Sequence, residues 1–225
     1  MEGQHATPNT SGAVLHWARR YDLLVWLLTL GREPVFRERV VRLARLRADE
    51  SILDVGCGTG TLAIAAKRLV GPTGTVHGID ASPEMIARAR KKAKKSGVEV
   101  EFTHAVAEAL PFQDARFDVV LTSMVIHHLP RDMRRQCFCE MRRVLKPGGR
   151  LLAVDFGGSG QKRRGLIAHF HRHHRFDLRE VVPMLSEAGL NDVESGAVGF
   201  GDLQFVRAAA PSLDRSTLSA TGNQP

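Results

Sequence analysis

A short apolar stretch that ends in three alternating glycines constrains this chain more than any other feature. Residues 51–55 are too few for a helix and are bounded by turn residues, so they predict a buried strand. Gly56, Gly58 and Gly60 follow at once, and a helical pattern begins directly after them. Glycine is needed where φ is positive or where a side chain would keep a ligand from the backbone. We expect a strand–turn–helix unit whose helix N-terminus offers free N–H groups to a charged ligand.

Two acidic residues belong to the same pattern. Asp54 lies two residues before the first glycine, and Asp80 ends the next predicted strand, twenty residues after Gly60. A carboxylate at the end of that strand can accept hydrogen bonds from both ribose hydroxyls. The third glycine comes one residue earlier than in the G-x-G-x-x-G dinucleotide fingerprint, which argues against an NAD-dependent oxidoreductase. The combination indicates a nucleoside with a small charged appendage.

Strands and helices alternate along most of the chain. The sequence predicts strands at 51–55, 75–79, 98–103, 117–122 and 150–156, with helices at 62–69, 83–97 and 132–145 between them. Apolar strands separated by helices are typical of a parallel sheet covered on both faces. Helices at 14–29 and 34–46 precede this pattern, and a helix at 178–188 with strands at 191–197 and 203–208 follows it. We interpret 14–208 as one domain, with 14–46 as an N-terminal helical lid and with 1–13 and 209–225 as tails.

Composition is that of an average globular protein. The chain has 225 residues, of which 43% are hydrophobic and 25% charged, which excludes general disorder, collagen and a disulfide scaffold. Three cysteines, no basic segment at the N-terminus and a longest apolar run of only residues 23–30 predict a cytoplasmic protein. The net charge of +8 leaves peripheral membrane contact open. The basic run 88–95 lacks interleaved aromatic residues, which argues against nucleic acid as a partner.

Four longer segments carry a family resemblance. They read ILDVGCGTG (52–60), HGIDASPEM (77–85), AEALPFQDARFDVVLTS (107–123) and RVLKPGGRLLAVDF (143–156). Together they resemble the class I S-adenosylmethionine-dependent methyltransferases, especially the small quinone-biosynthesis-type group, over about residues 14–208. The resemblance implies a Rossmann-like, doubly wound α/β fold with a seven-stranded, mostly parallel sheet and an antiparallel last strand. It also implies S-adenosylmethionine as cofactor and methyl transfer to a small apolar or amphipathic metabolite.

The resemblance assigns roles to individual residues. The backbone of Gly56, Gly58 and Gly60 would hold the methionine portion, with Asp54 assisting through the ammonium or a water, and Asp80 would bind the ribose. The other implied cofactor contacts are Ala81 and Met85 at the adenine edge, Ala107 and Glu108 beside the ring, Ser123 near the sulfonium, and Tyr21 closing over the cofactor. The family usually has Asp where this chain has Val106. The alternative function is therefore a non-catalytic or regulatory protein that binds S-adenosylmethionine or S-adenosylhomocysteine.

His127 and His128 are the candidates for a general base. They follow the fourth predicted strand, at the carboxyl edge where open α/β sheets bind ligands. Histidine exchanges a proton near neutral pH, but a base is needed only if the acceptor is a weak acid. Packing and backbone capping are the alternative interpretation of both residues. The crowded histidines of 169–174 are interleaved with arginine and do not match a zinc site, so we predict no metal.

Overall fold

The computed structural model describes residues 33–157 and 177–212. Within these ranges, five α-helices and seven strands follow the order α1 Glu33–Leu43, β1 Ser51–Val55, α2 Thr61–Val70, β2 Thr75–Asp80, α3 Pro83–Lys95, β3 Glu101–His104, β4 Phe117–Ser123, α4 Arg131–Val144, β5 Leu145–Phe156, α5 Val182–Glu187, β6 Asn191–Ala197 and β7 Leu203–Ala209. Two 3₁₀ turns, Ile126–His128 and Leu178–Val181, precede α4 and α5.

The seven strands form one sheet in the order β3-β2-β1-β4-β5-β7-β6. The first five pair in parallel, whereas β7 runs antiparallel to both β5 and β6. The chain winds outward from β1 through β2 to β3 and then returns to β4 on the other side of β1. Open α/β sheets bind ligands at such a switch point, outside the carboxyl ends of the strands. The predicted fold class, with its antiparallel last strand, is confirmed.

Apolar side chains from both faces of the sheet meet helices. On one face, Leu53 belongs to a buried cluster with Phe138 of α4. On the other face, Ile52 belongs to a second cluster with Phe36 of α1 and Ala63 of α2. Successive residues of β1 thus point to opposite faces, as the pleat of a strand requires. Burying each of the larger side chains contributes about 1.5–3 kcal/mol, so the two clusters fix β1 at the centre of the fold.

Several predicted boundaries differ from the structure by a few residues. Helix α1 ends at Leu43 rather than at 46, and Arg45 has a φ of 52°, which a helix cannot accommodate. Strand β3 begins at Glu101 rather than at 98, because the Val98 N–H bonds the Ala93 carbonyl and so closes α3. The predicted helix 178–188 divides into the 3₁₀ turn and the short α5.

The start of β5 is a further difference. The 146–149 segment was expected to separate α4 from the strand, but extended pairing already begins at Leu145, where ψ is 133°. Phe117 of β4 pairs with Leu145, and Val119 pairs with Arg150, so residues 146–149 form an irregularity within β5 where the pairing register shifts. At the other end of the sheet, the Ala210 N–H donates to the Gly149 carbonyl, so contacts continue past residue 208.

Some predictions fall on parts of the chain outside the described residues. These are the helix 14–29 with Tyr21, the histidine-rich segment 169–174 and the terminal tails apart from residues 209–212. Among the helices of 33–157 and 177–212, none has the length and apolar character needed to cross a bilayer.

Candidate functional site

The carboxyl end of β1 opens into a bend formed by the three alternating glycines. Gly56, Gly58 and Gly60 have φ values of 71°, 53° and 79°, in the left-handed region that favours glycine. A Cβ on Gly56 would lie 2.3 Å from Val125 Cγ2, and one on Gly60 would lie 2.7 Å from the Phe102 ring. Both distances are too short for real atoms. The bend therefore requires glycine, and it leads directly into the N-terminus of α2, where the helix dipole favours a negatively charged ligand group.

Asp80, the last residue of β2, holds this bend from the neighbouring strand. Its Oδ2 accepts the Gly58 N–H at 2.8 Å, and its Oδ1 accepts the Ser82 N–H at 2.9 Å. Burial raises the pKa of Asp80 above its ordinary value, although the two N–H donors oppose this effect. Each carboxylate oxygen can accept more than one hydrogen bond, so two ribose hydroxyls remain within its capacity. Bracing of the glycine bend is a role of Asp80 that its position in the sequence does not predict.

Several buried polar atoms beside the bend have no hydrogen-bond partner. Asp54 is 1% exposed, and its Oδ2 lacks a partner, as does the Nε of Arg37 on α1, which is 8% exposed. The Thr122 and Ser123 hydroxyls at the end of β4 are buried and unpaired as well. Each such group costs about 1–3 kcal/mol. Unpaired groups concentrated at one edge of a sheet indicate a polar ligand that completes their hydrogen bonds.

The electrostatics of Asp54 follow from this setting. Burial raises the pKa of Asp54 to about 7, and the charge of Asp80 acts in the same direction. The guanidinium of Arg37 and the backbone N–H of Ala63 oppose the shift. A carboxyl whose pKa lies near neutrality is sensitive to any charge placed next to it. A cationic group bound here would therefore stabilise the carboxylate form.

A histidine–aspartate pair lies on the other side of the β1–β4 junction. His127 Nδ1 is 2.7 Å from Asp155 Oδ1, and the backbone N–H of His127 donates to Asp155 Oδ2 at 3.2 Å. The Phe156 N–H donates to Asp155 Oδ1 at 2.8 Å. Asp155 is fully buried at the carboxyl end of β5. Because the carboxylate accepts, Nδ1 of His127 carries its proton and Nε2 is the basic nitrogen of the neutral ring.

Two neighbouring rings set the plane of His127. The His128 ring centroid lies 3.8 Å from that of His127, and Phe156 packs edge-on against His127 at 5.0 Å. The side chain of His127 is 14% exposed. Both histidines, but not Asp155, were expected from the sequence to be functional residues. The available signal was the position of Asp155 at the end of a predicted strand, since parallel strands bring their carboxyl ends to one edge.

The other predicted cofactor residues lie along the same edge, towards β2 and β3. The Ala81 carbonyl is 3.0 Å from His104 Nε2, and Met85 is buried in the first turn of α3. Ser82 caps that helix by accepting the Met85 N–H at 3.3 Å. Ala107 and Glu108 follow β3, next to the buried Val106. Their adenine-side roles stay predictions, as does the role of Tyr21, which lies outside the described residues.

Comparison with known proteins identifies the family. Residues 52–149 match the family model of a methyltransferase domain. The chain is 36% identical to the demethylmenaquinone methyltransferase of Thermus thermophilus over 205 residues, which span 91% of this chain and 88% of that protein. The chain belongs to the class I S-adenosylmethionine-dependent methyltransferases.

Two further proteins that are similar to this chain are also methyltransferases. The ubiquinone/menaquinone biosynthesis C-methyltransferase of Pasteurella multocida is 33% identical over 180 residues, or 79% of this chain and 64% of that protein. The crystal structure of an S-adenosylmethionine-dependent methyltransferase from Aquifex aeolicus is similar at a TM-score of 0.68 and 25% identity, covering 85% of this chain and 96% of that one. The predicted enzyme class and cofactor are confirmed.

The residues of this methyltransferase fit the cofactor. S-adenosylmethionine joins a nucleoside to a zwitterionic amino acid. The edge of the sheet offers a glycine bend at a helix N-terminus, a carboxylate at the end of β2, and a buried acid and a buried base that each have an atom without a hydrogen-bond partner. No group of three or more His, Cys, Asp or Glu residues is placed to hold a metal ion within 33–157 and 177–212.

Proposed function

We propose that this methyltransferase acts on a hydroxylated aromatic ring, of quinol type, carried by a small apolar or amphipathic molecule. The observation that carries the proposal is the His127–Asp155 pair, which lies at the same sheet edge as the glycine bend. The names of the two relatives, a demethylmenaquinone methyltransferase and a ubiquinone/menaquinone C-methyltransferase, support this acceptor class.

An acceptor of this kind needs a base. A phenolic hydroxyl has a pKa of about 10, so at neutral pH its neutral form is a weak nucleophile. His127 Nε2 would take the hydroxyl proton as the acceptor forms its bond to the methyl carbon and the methyl–sulfur bond breaks, with S-adenosylhomocysteine as the leaving group. The Asp155 carboxylate, fixed by the His127 and Phe156 N–H groups, stabilises the resulting imidazolium. A positioned base of this type contributes about 10²- to 10⁴-fold to the rate.

When bound, S-adenosylmethionine supplies a methyl group on a positively charged sulfur, already activated for transfer. The protein then has to orient the two reactants and exclude water. The residues that we propose hold the cofactor are those expected from the sequence: Tyr21, Asp54, Gly56, Gly58, Gly60, Asp80, Ala81, Met85, Ala107, Glu108 and Ser123.

The test is a methylation assay that compares the reduced and the oxidised form of the same ring. Purified enzyme is incubated anaerobically with S-adenosylmethionine and a demethylated naphthoquinol, and products are identified by mass spectrometry. We expect a product heavier by one methylene unit from the quinol and none from the corresponding quinone, which has no hydroxyl proton to lose. Equal methylation of both forms would contradict the base-assisted mechanism. Absence of product from the quinol, with normal binding of S-adenosylhomocysteine, would contradict the acceptor class.

A further inference from the structure

Helix α1 contributes a buried cation whose hydrogen bonds are incomplete. Arg37 is more than nine-tenths buried, and its Nε has no hydrogen-bond partner. Its ion pair with Glu33, one helical turn earlier, spans 3.6 Å, which is longer than a hydrogen bond. The guanidinium also lies 5.1 Å from the centroid of the Phe36 ring. A guanidinium has five donors, and burying it without strong acceptors is costly.

Other arginines that pack against the sheet are satisfied by the protein itself. Arg150 makes a two-pronged pair with Glu50 at 2.8 Å on both oxygens, and it donates to the carbonyls of Ala44 and Arg45. Arg207 pairs with Glu194 and donates to the Leu43 carbonyl. These two side chains tie the end of α1 to the sheet. Arg37 does not have an equivalent set of acceptors, so a purely structural role leaves its buried Nε donor unexplained.

The position of Arg37 relates it to the glycine bend. It extends from α1, which covers the face of the sheet to which Ile52 points, and Asp54 lies two residues further along the same strand and so on the same face. Arg37 Nε and Asp54 Oδ2 are both buried and unpaired. A buried cation and a buried anion that do not satisfy each other are complementary to a ligand that carries both charges.

We propose that Arg37 binds the carboxylate of the amino-acid end of S-adenosylmethionine, while Asp54 faces its ammonium group. A planar guanidinium matches a carboxylate through two parallel N–H bonds, which a lysine cannot reproduce. Arg37 is thus a binding residue that fixes the direction in which the amino-acid chain enters the bend. The inference rests on the cofactor position proposed above.

The test separates the amino-acid end of the ligand from its nucleoside end. Binding of S-adenosylhomocysteine and of 5′-methylthioadenosine, which lacks the amino-acid chain, is measured by calorimetry for the wild type and for Arg37→Gln. We expect affinity for S-adenosylhomocysteine to fall about 10- to 100-fold, as for the loss of charge-assisted hydrogen bonds, and affinity for 5′-methylthioadenosine to stay within about twofold. The affinity of Arg37→Lys for S-adenosylhomocysteine should lie between those of the wild type and of Arg37→Gln. Arg39→Gln, an exposed site on the same helix, is the matched control and should change neither affinity.

Other outcomes would contradict either the role of Arg37 or the position of the cofactor site. An unchanged affinity of Arg37→Gln for S-adenosylhomocysteine, or an equal loss for both ligands, would refute the assignment. If Arg37→Gln does not fold, the wild type is tested with decarboxylated S-adenosylmethionine, which lacks the carboxylate. If the wild type binds this compound as tightly as S-adenosylmethionine, the assignment of Arg37 is refuted as well. Failure of the wild type to bind any of these ligands would count against the cofactor site itself and not against Arg37.

Discussion

The two edges of this sheet differ in how completely their charged residues are paired within the protein. At the amino edge, the charges satisfy one another: Lys146 donates to both carboxylate oxygens of Asp118 at 2.9 and 2.8 Å, and Asp118 also accepts the Ser51 N–H. Arg150 and Glu50 form a comparable closed group. At the carboxyl edge, Asp54 and Arg37 are buried with unpaired atoms. The amino edge thus contributes stability. The carboxyl edge also has satisfied carboxylates, Asp80 and Asp155, but in addition it holds polar groups whose partners arrive with a ligand.

The contrast predicts that substitutions at the two edges change different measurements. Removing a partner at the amino edge should lower the free energy of unfolding and leave ligand affinity alone. Removing a charge at the carboxyl edge should affect binding or turnover more than stability, and in one case it should increase the stability of the free enzyme. A variant at either edge that lowers both the free energy of unfolding and the affinity for ligand by similar amounts would contradict this contrast.

The largest effect is expected at the His127–Asp155 pair. Asp155→Asn should lower kcat about 10²- to 10⁴-fold, equivalent to about 3–5 kcal/mol, because an amide at this position favours the wrong tautomer of His127. His127→Gln should cost a similar factor, and the double variant should be little worse than either single one, since the two residues act as a unit. Steady-state kinetics with the quinol acceptor measure this. Additive losses, or a parallel loss of S-adenosylhomocysteine affinity, would assign the pair a structural role.

A smaller effect is expected at the amino edge. Arg150→Ala removes its pair with Glu50 and its bonds to two carbonyls, and it leaves a partly buried carboxylate without its partner. We expect the free energy of unfolding to fall by about 2–4 kcal/mol, measured by urea denaturation, with S-adenosylhomocysteine affinity unchanged. Arg42→Ala removes an exposed i,i+4 pair with Glu38 and serves as the control, with a change below about 0.5 kcal/mol. Equal effects of the two variants would contradict the closed network.

The features predicted from the sequence are those that depend on local chemistry. Gly56, Gly58 and Gly60 were recognisable because positive φ and close packing leave few residues that fit there. Asp80 was recognisable from its place at a strand end, although its bonds to the backbone of Gly58 and Ser82 were not. The parallel sheet covered on both faces was predictable from the alternation of apolar strands with helices, whereas the antiparallel last strand came from the family resemblance.

The features that were missed depend on tertiary contacts. His127 and Asp155 are 28 residues apart, and only the parallel pairing of β4 with β5 brings them together. Arg37 lies four residues before the buried Val41 and therefore on the apolar face of α1, whereas Arg39 lies on the exposed face. Which face of α1 meets the sheet is decided by the packing of Phe36 and Val40. The spacing indicates the buried face, but only tertiary packing brings Arg37 near Asp54 of β1.

Asp54→Asn should stabilise the free enzyme. Since burial raises the pKa of Asp54 to about 7, its contribution to stability is fully present below its unfolded pKa of 3.8 and is lost as the pH rises through about 7. At pH 8 the uncharged variant should therefore unfold with a free energy about 1–3 kcal/mol higher than the wild type, while binding S-adenosylhomocysteine more weakly. Thermal and urea unfolding at pH 5 and pH 8 measure the difference. A variant less stable than the wild type at pH 8 would mean that Asp54 is stabilised by partners in the free enzyme.

The smallest predicted effect is a proton released on binding. An ammonium group beside Asp54 stabilises its carboxylate and lowers the pKa from about 7, so ligand binding between pH 6 and 7 should release up to one proton. Affinity for S-adenosylhomocysteine should accordingly rise with pH, by at most about tenfold per unit below pH 7, and level off above it. Calorimetry in buffers of different ionisation enthalpy counts the proton. Because 5′-methylthioadenosine lacks the ammonium group, its binding should release none, and neither should binding to Asp54→Asn. A pH dependence that survives in Asp54→Asn would assign the titration to another group and would remove the evidence that the carboxyl edge keeps this charge for the ligand.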